Sequence, residues 1–341
     1  MNKEQIIKVI NNESLPDSCH NADYLETQNS WVIRSDHYAF KIRKPQQATG
    51  AELTDVESRK EICNKELALN KLLGGRFYED VIPIQKIIGK NTDDTNHIEV
   101  VDYALQMKRL DDTRKLSERL KTGNINESLI KDIARMLLRF HHKTKIIKDT
   151  FNITRFQNEF EEIKRCTEFV EELLGNQYEK MIYDSIVISK AFLANYRNLI
   201  HERTISGFVR DGHGDLSSDK IYLYNKPIIV DRVVIDDEQR KTDVLYDVAR
   251  LGVDLDYYGL YFYDELLLSV YLNWSDKRRS NTDRQIYTYY KLYRTNLLIT
   301  QLIDATTFHL VKSEEKNNLI SYFNLYFSYM QELRLTPGMQ P

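Results

Sequence analysis

The stretch VRDGHGDLSSDKIYLYNKPIIVDRV, residues 209–233, decides the reading of this chain. A His-Gly-Asp turn runs into a short apolar segment, Asn225-Lys226-Pro227 supplies a tight turn, and a second apolar run ends at Asp231. Folded as a hairpin, the second strand returns beside the first, which can bring Asp215 and Asp231 to one end of it. Taken singly, each motif has an ordinary explanation. Gly and Asp favour surface turns, and an aspartate at a strand end is commonly a cap or loop residue.

Working outward, SWVIRS and HYAFKIRK alternate apolar and polar residues around a Ser-Asp turn, the pattern of a hairpin. An amphipathic helix and a break at SLPDS precede them. Residues 57–73 carry Ile62, Leu69 and Leu73 at helical spacing, and DVIPIQKII and HIEVVDYALQMKRL read as two more strands around the polar GKNTDDTN turn. Past Leu110 long helical patterns with charged outer faces take over, interrupted only by the extended KIYLYN and KPIIVDRVVI. The expectation is an α+β chain: a small antiparallel sheet with one main helix over residues 1–109, and a larger helical part over 110–341.

At 341 residues and 42% hydrophobic, the chain can bury a proper core. The 48 basic and 51 acidic side chains are interspersed and the net charge is −3, so no footprint for nucleic acid or an anionic membrane is expected. Cys19, Cys63 and Cys166 lie far apart without paired spacing, which argues against a disulfide framework or a zinc site. The opening MNKEQIIKVINN lacks the order of a signal peptide, and no apolar run approaches the roughly 20 residues of a membrane helix. A reducing, cytoplasmic setting is the expectation.

The conjunction of motifs fits phosphoryl transfer. That reaction needs metal ligands, a cation on the phosphates, and a carboxylate that receives or orients the attacking hydroxyl. Asp215 would be the catalytic carboxylate, Asp231 a magnesium ligand, and Lys41 the cation. Period two in HYAFKIRK puts Tyr38, Phe40 and Ile42 on one face and Ala39, Lys41 and Arg43 on the other, a small residue two before a lysine as an adenine-facing strand needs. A solvated edge lysine is the plain alternative, and it suits Lys44 better. Glu66 falls in the stripe of Ile62, Leu69 and Leu73, where an unpaired carboxylate is costly to bury. Either it pairs with Lys41 or it reaches solvent from the stripe's edge.

With these residues in view, the chain resembles the aminoglycoside phosphotransferase-like kinases, in particular a bacterial subgroup often fused to a P-loop ATPase domain. Five blocks carry the resemblance: NSWVIRSDHYAFKIRKP, RKEICNKELALNKLLGGRFYEDVIPI, DYALQMKRL, VRDGHGDL with PIIVD, and RKTDVLYDVARLGVDL. It implies a two-lobed protein-kinase-like fold, with ATP and Mg2+ in the cleft between lobes and a small-molecule hydroxyl as acceptor. Carried over, Lys41 would be the nucleotide lysine and Glu66 its partner, Met107 would line the hinge, Asp215 would be catalytic and Asp231 would bind magnesium. His213 and Asp247 would hold the catalytic loop. No Gly-x4-Gly-Lys-Ser/Thr occurs, so the P-loop ATPase of the fused relatives is not expected.

The sequence departs from that pattern at telling places. Lys220 stands where the resemblance implies a metal-binding asparagine, Ser217 where a second histidine is frequent, and Val234 where a polar residue is usual. Lysine donates only and cannot ligate magnesium. Three outcomes stay open: Asp219 swings in as a ligand, Lys220 neutralises phosphate charge in place of one metal, or only nucleotide binding remains. ETQNSWVIRS, standing where a glycine-rich lid would be, has no glycine, leaving Asn29 and Ser30 as polar tips. The competing readings are a small-molecule kinase, a nucleotide-binding pseudokinase, and a kinase of protein hydroxyls. Asp254, Asp256 and Asp264 among the aromatics of LGVDLDYYGLYFYDELL read as solvated acids beside core tyrosines.

Overall fold

The computed structural model describes residues 1–11, 15–16, 22–27, 29–45, 47–48, 51–90, 96–148, 151–273, 281–306 and 311–336. Cys19, residues 91–95 of the expected turn, and Ser14, Asp17 and Ser18 of the expected break lie outside the described residues. The chain divides into two compact units, residues 1–116 with 219–239, and residues 117–218 with 240–341. The segment 219–239, which the sequence reading places in the helical half, therefore packs with the first unit. Its partner is a helix far earlier in the chain, Asn70 and Arg232 being 162 residues apart, and sequence order does not reveal such a pairing.

In the first unit, helix α1 (Lys3–Asn11) is followed by strands β1 (Asp23–Glu26), β2 (Ser30–Arg34) and β3 (Tyr38–Arg43). A two-residue pair, β4 (Gln47–Ala48) with β5 (Ala51–Glu52), leads into helix α2 (Val56–Gly74), then β6 (Tyr78–Lys90) and β7 (Asn96–Lys108). The main sheet has five strands in the order β1-β2-β3-β7-β6, each pair antiparallel. Strand β1 and the β4–β5 pair are additions to the expected strands. Alternation sorts the faces as the sequence pattern requires. Trp31, Ile33, Phe40 and Ile42 are buried with Ile6 and Val9 of α1 in one core. Ser30, Val32 and Arg34 of β2 pair with Arg43, Lys41 and Ala39 of β3 and look the other way.

The helix α2 starts at Asp55, whose side chain accepts from the Ser58 N–H at 2.8 Å. Its buried face is Arg59, Cys63, Glu66, Asn70 and Gly74. Here the expectation needs correcting: Ile62, Leu69 and Leu73 are only half-buried, and Glu66 belongs to a polar inward stripe. Its polar members, Arg59, Glu66 and Asn70, each have a polar partner. Arg59 Nε donates to Asp102 at 3.0 Å, and Asn70 Oδ1 accepts from the Arg232 N–H at 2.9 Å. Gly74 is needed by close packing, since a Cβ there would lie 2.6 Å from the Tyr78 ring. Residues 221–229 form the expected hairpin, with Ile221–Leu223 antiparallel to Pro227–Ile229.

The second unit is mostly helical. Helices span Glu127–Lys143, Ile153–Glu161, Thr167–Leu174, Asn176–Asn195, Arg197–Ile205, Val244–Tyr257, Tyr261–Asn273, Asn281–Thr306 and Ser313–Arg334. Two long helical patterns are thus broken: one by a 3-10 turn at Glu162–Cys166, the other at Tyr196. A short ladder pairs Val209–Asp211 with Lys241–Asp243. Stacked rings fill the core, Phe156 on Tyr293 at 3.8 Å and Phe192 on Tyr289 at 4.2 Å between centroids.

The aspartates expected in solvent are buried: Asp254, Asp256 and Asp264 are 6%, 3% and 2% exposed. Their counter-charges explain it. Asp254 pairs with Arg250, while Asp256 and Asp264 share Lys291, at 2.9 and 2.8 Å, with Tyr329 and Tyr287 donating to them. Among the described residues no helix is long and apolar enough to cross a membrane. Cys63 and Cys166 are free and buried, and burial pushes the Cys63 thiol up to about 12.

Candidate active site

The polar face of β2 and β3 opens on a cavity of about 860 Å³ in the first unit. Ala39, Lys41 and Met107 line it, with Asp219, Lys220 and Asp231 from the 219–239 segment. Sheet register explains the grouping: Ala39 sits opposite Met107 and Arg34, and Lys41 opposite Val32 and Leu105. Ser30 and Asn29 line it too. Ser30 begins β2, held by Thr27 Oγ1 accepting from its N–H at 3.0 Å.

At the centre, Lys41 Nζ lies 2.7 Å from Glu66 Oε1 and 2.7 Å from Asp231 Oδ1. Burial by itself would lower the Lys41 pKa, but the Asp231 and Glu66 carboxylates outweigh it and hold the ammonium above its ordinary value. Glu66 also pairs with Arg43, a partner the sequence reading leaves out although it sets Arg43 on the same strand face. Burial raises the Glu66 carboxyl, and Arg43 and Lys41 bring it below the usual carboxylate range.

Asp231 is held with care. It has φ 62, unusual for a residue with a side chain. Its N–H donates to Tyr78 Oη at 2.9 Å, and the next N–H, of Arg232, donates to Asn70. Its side chain keeps 45% of its surface open, and Lys220 Nζ stands 3.6 Å from its Oδ2. Burial pushes this carboxyl up, yet Lys41 and Lys220 bring it far below the usual range. Among the described residues no three His, Cys, Asp or Glu side chains converge on a metal-sized site. The carboxylates of Asp231 and Asp219 both line the cavity.

Asp215 belongs to the second unit, at the end of a loop fixed from within that unit. Asp247 Oδ2 and Oδ1 accept from the N–H groups of His213 and Gly214 at 2.5 and 2.8 Å, and the Asp215 N–H donates to His213 Nδ1 at 3.3 Å. His213 and Asp247 thus tie down the loop, as the resemblance implies. Gly212 permits this, because a Cβ there would lie 2.4 Å from Asp247 Oδ2. Sequence reasoning misses three further residues. His141 Nε2 lies 3.2 Å from Asp247 Oδ2, Arg294 ion-pairs with Asp215 and donates to Gly214 O at 2.9 Å, and Arg250 Nε is 3.4 Å from Asp215 Oδ1. All three come from helices with no local signal pointing at the loop.

Comparison with solved structures places this architecture. A choline kinase from Cryptosporidium parvum superposes with a TM-score of 0.58 at 11% identity, over 99% of this chain and 98% of that one. An amicoumacin kinase solved with AMP-PNP and Ca2+ gives 0.57 at 12% identity, over 99% and 96%. An aminoglycoside 2'-phosphotransferase in complex with GDP gives 0.55 at 14% identity, over 97% and 98%. The chain has the aminoglycoside phosphotransferase-like kinase fold. In this kinase-like fold the five-stranded antiparallel sheet is the N-terminal part and the helical part follows it. No family model matches the chain. An uncharacterized protein of Mycobacterium tuberculosis is 27% identical over 246 residues, 70% of this chain and 46% of that protein. The kinase-fold chain therefore matches about half the length of its curated relatives, a second being an uncharacterized protein of Mycobacterium bovis.

Proposed function

We propose that this protein is an ATP-dependent phosphotransferase that moves the γ-phosphoryl group to a hydroxyl of a small molecule. The observation that carries it is Lys41 bridging Glu66 and Asp231 at 2.7 Å each, in a cavity lined by Ala39 and Met107. A fixed ammonium beside a partly open carboxylate is what a polyphosphate with its magnesium requires. The likeness in fold to kinases solved with AMP-PNP and GDP supports the same reading.

On this proposal Lys41 contacts the phosphates and Glu66, with Arg43 neutralising its other oxygen, holds Lys41 in place. Ala39 and Met107 flank the base. Asp231 and Asp219 would hold magnesium, which when bound neutralises phosphate charge. Asp215 receives or orients the acceptor hydroxyl, its loop fixed by Asp247 and its carboxylate by Arg294.

The test is acceptor-dependent ADP release across a panel of small hydroxyl compounds. Asp215→Ala is expected to lower turnover by about 10²-fold or more while ATP still binds. Equal turnover in parent and variant would remove Asp215 from the chemistry. A second reading, a nucleotide-binding pseudokinase, is favoured by Lys220 standing beside Asp231. Activity absent from the parent and restored by Lys220→Asn would establish it.

A further inference from the structure

Asp231 has an ammonium near each of its carboxylate oxygens. Lys41 Nζ is 2.7 Å from Oδ1, and Lys220 Nζ is 3.6 Å from Oδ2. The second distance lies outside hydrogen-bond range but within reach of charge attraction. The position is built rather than incidental. Backbone pairing fixes it, since the Val230 N–H donates to the Lys220 carbonyl at 3.0 Å, which locks Lys220 beside the residue preceding Asp231. Asp231 is pinned from below by Tyr78 and at φ 62.

Eight lysines and arginines and four aspartates line the cavity, and Asp23, Glu66 and Glu79 behind that lining pair with Arg34, Lys41, Arg43 and Lys108. Within it, Ser30 is 1% exposed and its Oγ has no hydrogen-bond partner among the described residues. A buried hydroxyl without a partner is costly unless a ligand supplies one. Phosphate oxygens accept hydrogen bonds and carry negative charge, so they match ammoniums and a hydroxyl together.

We infer that Lys220 and Lys41, both positioned by Asp231, form a phosphate anchor that works without a divalent cation, with Lys220 contributing the positive charge a metal ion would otherwise bring. The inference rests on the reading of this cavity as a nucleotide site. A lysine at this point makes nucleotide affinity insensitive to metal, whatever the metal then does for transfer.

Equilibrium binding of ATP to the full chain, by calorimetry, tests it in excess magnesium and in EDTA. The parent is expected to bind with the same affinity in both. Lys220→Ala should lose about 10-fold or more in EDTA and less in magnesium, since a charge-assisted contact is worth about 1.5–3 kcal/mol. Lys220→Arg, which keeps the charge, should bind in EDTA, and Lys220→Asn, which lacks it, should weaken in EDTA as Lys220→Ala does and recover in magnesium. Thermal unfolding of each variant checks that it is folded. A parent that binds ATP only with magnesium, or a Lys220→Ala variant equal to the parent in EDTA, overturns the inference and leaves the nucleotide site standing. A parent that binds ATP under neither condition overturns both.

Discussion

Lys41 shows how one side chain is set by several distant constraints. Strand alternation turns it away from the core that holds Phe40 and Ile42, and α2 presents Glu66 to it at 2.7 Å. A carboxylate 1% exposed, as Glu66 is, persists only because two cations meet it. Lys41→Ala is expected to weaken ATP binding by roughly 10- to 100-fold, the worth of a charge-assisted contact, while Arg43 keeps Glu66 paired. An unchanged dissociation constant would take Lys41 out of the site. At this scale much was legible. Lys41, Glu66 and Asp231 stand out in the sequence and meet in space. Arg294 and His141 do not stand out, because an arginine or a histidine inside a helix has no local mark of what it will touch.

At the scale of elements, the helix Val244–Tyr257 shows where periodicity misleads. Every residue from Val244 to Asp256 is buried, so the polar stripe of Asp247, Arg250 and Asp254 marks an inward face and not a solvent-facing one. Its acids meet their charges in two ways: Asp254 pairs with Arg250 one turn back in the same helix, while Asp256, with Asp264 of the next helix, shares Lys291 of the helix Asn281–Thr306. Close packing there depends on Gly252, where a Cβ would lie 2.0 Å from Tyr287 Oη and 2.5 Å from Asp264 Oδ1. Gly252→Ala is therefore expected to destabilise the fold by about 1–3 kcal/mol or more, as overpacking does. Chemical denaturation reads this directly, and an unshifted midpoint would contradict the packing described. The strands were easier to read, because half-buried strands display their two faces in their residue alternation, whereas on α2 the apolar spacing pointed to a face that is only half-buried.

For the whole molecule, buried carboxylates govern the response to acid. Burial raises the carboxyl pKa of Glu66 and of Asp247, but Arg43 and Lys41 around the first, and His141 around the second, bring both below their ordinary values. A depressed folded pKa gives stability that is complete above the unfolded value and is lost as pH falls through the folded one. Asp256 works the other way, since burial and then Asp264 raise its pKa, so its protonation in acid is favoured by the fold. The expected result is a thermal midpoint that falls as pH drops below about 4.3, the unperturbed glutamate value, with a shallower fall in Glu66→Gln. A midpoint unchanged between about pH 5 and pH 3 would refute it.

The sequence by itself determined the α+β order of elements, the hairpin at 221–229, the face on which Lys41 lies, and the loop that carries Asp215. These follow from local preferences: alternation, turn residues and helical spacing act over a few positions and need no distant partner. Only the tertiary structure decided that residues 219–239 pack with the first unit, that Arg43 shares Glu66, that Lys220 stands beside Asp231, and that the aspartates of 254–264 are buried. Each of those depends on which charge meets which across long sequence separations. A carboxylate in a sequence looks the same whether water or a buried ammonium will answer it.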